Sequence, residues 1–379
     1  MLINRSGTMV LPFMTIYLTS DEMGYTIGKA GIVMGLFGAG AIFGGYFGGK
    51  LTDQLGFFPV QIVTLAGGGV LFLVLGFVKS FPLICSFSFL LSVVNEAFRP
   101  ANATAIAFYS SVENRTRSYS LNRLAINLGW AVGGALGGLI ASYNYQWLFY
   151  FDGFTNMGAA ILLWLLLRQT AVDSNPINRT AAKEVPVLSA YHDRIYIVFI
   201  LLTVLFAACF FQMFSTLPAY FKNQLHFSTQ YIGLLMAANG LVITVIEMVL
   251  VYRLEGKRRS TFYISLGVIL CGLSYLFLNL LPIQHALALV MILGITFGEI
   301  FAMPFMNSFW ISRTSNNNRG EYAGLYTIAW ATAQTCGPLF GSLIAEKYGF
   351  TSLWWIIATV CISAGIGFLL LHRAMRYSK

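Results

Sequence analysis

Glu96 and Arg99 stand three residues apart in the middle of a long apolar stretch, and Arg5 and Glu299 lie inside other such stretches. An ionisable side chain at the centre of a membrane helix costs about 2.5–3.5 kcal/mol on insertion scales, so residues of this kind point to work done at membrane depth. Three-residue spacing puts Glu96 and Arg99 on one helix face. A carboxylate that is desolvated and also beside a cation feels opposing influences on its proton affinity, and proton exchange comes within reach of ordinary pH. The pair Arg5 and Arg99 would suit an anionic group, and a structural ion pair joining helices is a third reading. Gln212 and Asn307, in apolar stretches of the second half, complete this candidate substrate and proton-coupling set. Arg123 and Glu247 lie nearer helix ends, where long side chains reach the interface, and read as structural. Asp152 ends the aromatic run Trp147-Leu148-Phe149-Tyr150-Phe151-Asp152, where capping, an outer-gate contact and substrate binding are all open.

Other chemistries find no residues to carry them. His192, His226, His285 and His372 fall at helix ends or in loops without metal-ligand spacing, so neither a metal nor another cofactor is expected. Cys85, Cys209, Cys271, Cys336 and Cys361 sit in apolar stretches, odd in number and without a CxxC pair, and read as packing residues. Gly44 to Lys50 approaches a phosphate-binding loop, but Leu51 follows where Ser or Thr is needed, and the glycines lie in an apolar helix. A membrane enzyme would need a His/Asp cluster or a metal motif at membrane depth, so no enzyme is expected. The net charge of +9 raises nucleic acid as a partner, yet Lys and Arg are spread through short loops instead of one face, so none is expected.

The elements that must position these residues follow from composition. Of 379 residues, 57% are hydrophobic and 10% charged, against roughly a quarter charged in soluble domains. A transmembrane helix needs about 20 mainly apolar residues. Apolar periodicity places spans at 1–20, 28–51, 59–79, 82–111, 119–142 and 146–168, then at 194–222, 228–252, 260–282, 285–312, 319–346 and 350–373. The expected fold is an all-α membrane protein of twelve transmembrane helices in two six-helix bundles, 1–168 and 194–379. Between them, 169–193 is a polar linker carrying Pro176 and Pro186. The chain begins inside its first apolar stretch with no polar lead-in and no cleavable signal, so the first helix reads as truncated.

Lys and Arg set the orientation. Sixteen fall in the loops after the even-numbered spans and in the C-terminal tail, against four, Lys29, Lys79, Lys222 and Lys347, in the opposite loops. Both termini and the linker are therefore expected in the cytoplasm, with the chain in a bacterial inner membrane. The halves also repeat. A shift of 204 aligns Pro100 with Pro304, Asn114-Arg115 with Asn318-Arg319, Gly133 with Gly337 and Gly137 with Gly341, and 202 aligns Gly31 to Met34 with Gly233 to Met236. Glu299 falls one residue from the position equivalent to Glu96. Internal repetition is the sequence sign of bundles related by pseudo-symmetry.

Between the second and third spans the chain reads Gly49-Lys50-Leu51-Thr52-Asp53-Gln54-Leu55-Gly56. This resembles the signature of the major facilitator superfamily in Gly49, Asp53 and Gly56, and departs from it at Gln54, Phe57 and Phe58, where basic residues are usual. The matching loop of the second half, Glu255-Gly256-Lys257-Arg258, keeps the acid, the glycine and the basic pair. In that family the loop latches the halves on the cytoplasmic side, which implies a gate role for these residues; a solvated loop acid is the plain alternative for Asp53. Gly129, Gly133 and Gly137 form a stripe at four-residue spacing in the fifth span, similar to the signature of the family's drug:proton antiporters with Gly134 in place of Pro. Gly337-Pro338-Leu339-Phe340-Gly341 partly repeats it. Close helix packing and a special antiport role remain alternatives for both. The resemblance implies a monomeric secondary transporter that exports a small amphipathic organic solute in exchange for protons. Alternatives are a proton symporter or facilitator for sugars, peptides or organic anions, and a membrane sensor that transports nothing.

Overall fold

The computed structural model describes residues 1–110, 115–167, 189–282, 284–313 and 319–377. Most of the expected linker and the Asn114/Asn318 pair of the repeat lie outside them. The described residues are helical, without a strand: α1 (Leu2–Ser6), α2 (Val10–Leu18), α3 (Ile27–Leu55), α4 (Phe57–Phe77), α5 (Phe81–Tyr109), α6 (Arg115–Tyr143), α7 (Gln146–Leu167), α8 (Arg194–Phe210), α9 (Thr216–Asn223), α10 (Thr229–Leu254), α11 (Ser260–Leu280), α12 (His285–Ser312) and α13 (Arg319–Tyr377). Among the described residues ten segments are long and apolar enough to cross a membrane.

Four of the expected spans differ from the pattern read off the sequence. The first is two short helices, α1 and α2, interrupted at Gly7 to Met9. Pro12 is the third residue of α2; its ring lacks an N–H and crowds the carbonyl four residues back, that of Thr8, so the helix cannot run through this point. The seventh span is interrupted in the same manner. A 3₁₀ turn at Phe211–Phe214 separates α8 from α9, whose third residue is Pro218. The eleventh and twelfth spans run together as α13, bent at Gly349 with φ 82° and ψ 164°. Gly56, between α3 and α4, has almost the same backbone, φ 84° and ψ 163°, a region that side chains with a Cβ avoid.

The chain divides into two compact units, Met1–Arg179 with Pro218–Leu241, and Thr180–Leu217 with Val242–Lys379. In the first unit glycines bring backbones together. A methyl group at Gly40 would lie 2.9 Å from Ser92 Cβ, one at Gly44 3.1 Å from Glu96 Cβ, and one at Gly48 2.8 Å from Ala97 Cβ. Those glycines, four residues apart, form the seam between α3 and α5, which explains why the glycine-rich run before Lys50 is a packing surface. α4 lies against α5 and α7, and α1 against α6 and α7. In the second unit α11 packs on α12 and α13, and α8 on α13. Its core holds three buried thiols, each directed at a helix carbonyl: Cys209 at Ile357 O (3.6 Å), Cys271 at Ile295 O (3.6 Å) and Cys361 at Val268 O (3.3 Å). Cys85 and Cys336 are only half-buried.

Candidate functional site

The α3–α5 seam carries Glu96 inward. Glu96 is 7% exposed, and one turn on, Arg99 Nε meets its Oε2 at 2.6 Å with an Arg99 side chain that is 59% exposed. Pro100 follows, and its missing N–H leaves the Glu96 carbonyl without its helical donor. Arg5 reaches the same neighbourhood from α1: the charges that act on it are those of Arg99 and Glu96. Its Nε is buried without a hydrogen-bond partner among the described residues. The structure thus brings the charges of Arg5, Glu96 and Arg99 within reach of one another, with Arg99 as the direct ion partner of Glu96.

α1 is held there by the glycine stripe of α6. A methyl group at Gly129 would stand 2.6 Å from Arg5 Cβ, one at Gly133 3.1 Å from Ser6 O, and one at Gly137 3.1 Å from Met9 Cβ. The stripe therefore faces α1 and the start of α2. A second stripe on α6, Gly134 and Gly138, meets Met236 Cβ at 3.0 Å and Gly233 Cα at 2.7 Å in the same sense.

Gln212, Glu299 and Asn307 belong to the second half and are placed differently. Gln212 is 1% exposed inside the interruption of the seventh span. Its Nε2 donates to Ala208 O (3.1 Å) and Gly337 O (2.8 Å), and its Oε1 accepts from Thr216 Oγ1 (2.6 Å). Gly341 is tightly apposed to the same amide, so Gly337 and Gly341, flanking Pro338, give α13 the space to receive it. Glu299 is half-buried on α12, with its charge felt at Cys271. Asn307 is exposed and accepts from Trp310 Nε1 at 3.2 Å.

The loops expected to form a gate are mainly backbone features. Gly49 lies inside α3 and Asp53 is exposed near its end; Gly56 caps the helix at positive φ. Glu255, Gly256 and Lys257 form a turn after α10, with Gly256 at φ 77°, and the Arg258 guanidinium lies 4.4 Å from the centre of the Phe262 ring.

Two further arrangements are built on buried carboxylates, the first at a residue for which capping was one of the open readings. Asp152, wholly buried, accepts from Met9 N (3.0 Å) and Val10 N (2.8 Å), which caps α2 where the first span is broken. Leu11-Pro12 and Leu217-Pro218 would have marked both interruptions. Asp193, just ahead of α8, forms a two-pronged pair with Arg313 (Nε–Oδ2 2.8 Å, Nη2–Oδ1 2.7 Å), accepts from Tyr322 OH at 2.9 Å and caps α8 through Tyr196 N at 3.1 Å. No spacing in the chain announces that cluster, because its members lie 120 and 129 residues apart. Among the described residues no group of His, Cys, Asp and Glu is arranged to hold a metal ion.

Known proteins resemble this chain over most of its length. It is 22% identical to a Na(+), Li(+), K(+)/H(+) antiporter of Planococcus maritimus, across 97% of this chain and 92% of that one. It is also 22% identical to the class B tetracycline resistance protein of Escherichia coli, across 78% of this chain and 74% of that one. Among solved structures, a POT family transporter in complex with 5-aminolevulinic acid superposes with a TM-score of 0.80 at 14% identity, covering 98% of this chain and 94% of that one. The profile of the Major Facilitator Superfamily matches residues 2–334. Many apolar helices, glycine seams that let them approach, and ionisable residues kept among them are what this match predicts, and the chain belongs to the Major Facilitator Superfamily as a multi-pass membrane transporter.

Proposed function

We propose that the protein is a secondary active transporter that exports a small organic solute in exchange for protons by alternating access. The observation that carries this reading is Glu96, buried and bonded to Arg99 at 2.6 Å with Arg5 close by. An ionisable side chain kept in the interior of a membrane bundle marks an ion or proton pathway, and Glu96 is the coupling residue on this reading. Antiport by one relative and tetracycline resistance by another agree with export. The twelve-helix count is supported if α1 with α2 is one span and α13 is two, divided at Gly349. On this reading 1–168 and 194–379 are the two bundles and 169–193 is a cytoplasmic linker. Both termini lie in the cytoplasm of a bacterial inner membrane, and the transporter works as a monomer. Arg5, Glu96 and Arg99 serve substrate and proton in the first half, Gln212, Glu299 and Asn307 in the second. The loops at Asp53 and Glu255 act as the cytoplasmic gate.

A second reading rests on Arg5, whose buried Nε has no hydrogen-bond partner among the described residues. An orphaned guanidinium donor is satisfied by an anionic substrate, which would make the protein a symporter or facilitator for organic anions. Transport into vesicles under an imposed pH gradient separates the two. Glu96→Gln keeps the shape but cannot release a proton, so it should lose uphill transport and retain downhill exchange. Wild-type accumulation by Glu96→Gln would remove Glu96 from coupling.

A further inference from the structure

The first and seventh spans are both broken ahead of a proline, yet different chemistry holds each break. In the seventh it is the neutral amide of Gln212, which cannot titrate. In the first it is a carboxylate. Asp152 is 0% exposed, and its two oxygens accept from Met9 N at 3.0 Å and Val10 N at 2.8 Å. We propose that Asp152 is a proton-binding residue controlling the junction of α1 and α2: ionised, it fastens the start of α2, and protonated, it releases it.

The surroundings leave little else to decide its charge. α4, packed along α7, carries no ionisable residue. α2 contributes Tyr17, whose ring packs on Phe149 at 5.3 Å, and the turn before α7 contributes Tyr145. α1 contributes Arg5, whose charged neighbours are Arg99, Glu96 and the Met1 amino group. α6 has Tyr143 at its near end and Arg123 toward the other. On α7 itself Tyr150 is the other titratable group, while Asn156 donates to the Asp152 carbonyl at 2.8 Å and accepts from Asn4 at 2.7 Å. The ionised form thus rests on two backbone N–H groups at a helix start, where a negative charge is favoured. Adding a proton turns one oxygen into an O–H that faces an N–H, so one of the two bonds is lost.

The junction transmits that loss. Gly7 is pressed against Thr155, and Arg5 and Ser6 lie on Gly129 and Gly133, so α1 is gripped on two sides and bears the cation that reaches Glu96. Asp152 is in this sense a positioning residue acting through Arg5. Its role in coupling rests on the proton-exchange reading above; its action as a switch does not.

Hydrogen–deuterium exchange of the full chain in lipid nanodiscs, with neither substrate nor pH gradient, tests the switch by itself. Corrected for intrinsic rates, Met9 and Val10 should exchange about tenfold or more faster at about pH 5 than at about pH 8, the change expected from losing one charge-assisted hydrogen bond. The segment 208–217, held by Gln212, should not change. Asp152→Asn should exchange rapidly at both pH values. The wild-type comparison decides alone if that variant folds poorly. Equal corrected rates at the two pH values, or loosening of both breaks together, overturns the proposal. Failure of the Glu96→Gln transport test would leave this result standing, so the two ideas fall separately.

Discussion

Arg99 shows how one position divides its work between stability and transport. It is the ion partner of Glu96, at 2.6 Å, but its own side chain is 59% exposed. Removing a cation from a fully buried pair costs about 3–5 kcal/mol; screening at this exposed partner should reduce that to roughly 1–2 kcal/mol. Arg99→Ala is therefore expected to lower the thermal midpoint modestly while abolishing transport, a combination read by melting and vesicle uptake on the same preparation. A large loss of stability would mean that Glu96 has no other access to solvent or cation. The pair itself was legible in the sequence, since i,i+3 spacing in an apolar helix leaves few geometries. The approach of Arg5 could also be read as a facing cation. Capping was one of three readings open for Asp152, and the structure shows it doing that at the start of α2; the backbone-holding role of Gln212 could not be read, because it depends on where a helix breaks, and hydropathy is blind to that.

Glycines divide the same way at the level of the helix. Gly44 and Gly45 are adjacent in α3, yet a methyl group at Gly44 meets Val93 and Glu96 on α5 while one at Gly45 meets nothing within 4 Å. Gly44→Leu should prevent a monodisperse folded peak in size-exclusion chromatography, and Gly45→Leu should leave the profile as in wild type. Identical behaviour of the two would mean that the seam is not tight. The loop between α3 and α4 gives a finer contrast. Gly56 has φ 84° with open space around it, so Gly56→Ala should destabilise by about 1–3 kcal/mol through backbone strain alone. Gly49 is helical with nothing nearby, and Gly49→Ala should stabilise by about 0.5–1 kcal/mol. Chemical or thermal unfolding of both variants checks the sign. Helix ends were largely legible: the expected 260–282 and 285–312 correspond to Ser260–Leu280 and His285–Ser312. The first and seventh spans were not read as broken, although Pro12 and Pro218 supply the reason, because apolar content continues across both interruptions.

Across the whole molecule, loop charge sets the expected topology. Sixteen Lys and Arg against four predict that a reporter fused after Lys379 stays in the cytoplasm. A phosphatase fused there should be inactive and a fluorescent protein bright; the reverse pattern would invert the orientation. Long-range polar contacts such as Asp193 with Arg313 escaped the sequence because they depend on tertiary placement instead of local pattern. The buried thiols have a practical consequence for any melting experiment. Cys209, Cys271 and Cys361 all belong to the second unit, are nearly inaccessible, and are reactive only as thiolates. Half-buried Cys85 and Cys336 would be modified early and contribute baseline. A thiol-reactive fluorophore followed during heating would therefore record the opening of the second unit, and a compound that stabilised only the first would leave that curve where it was.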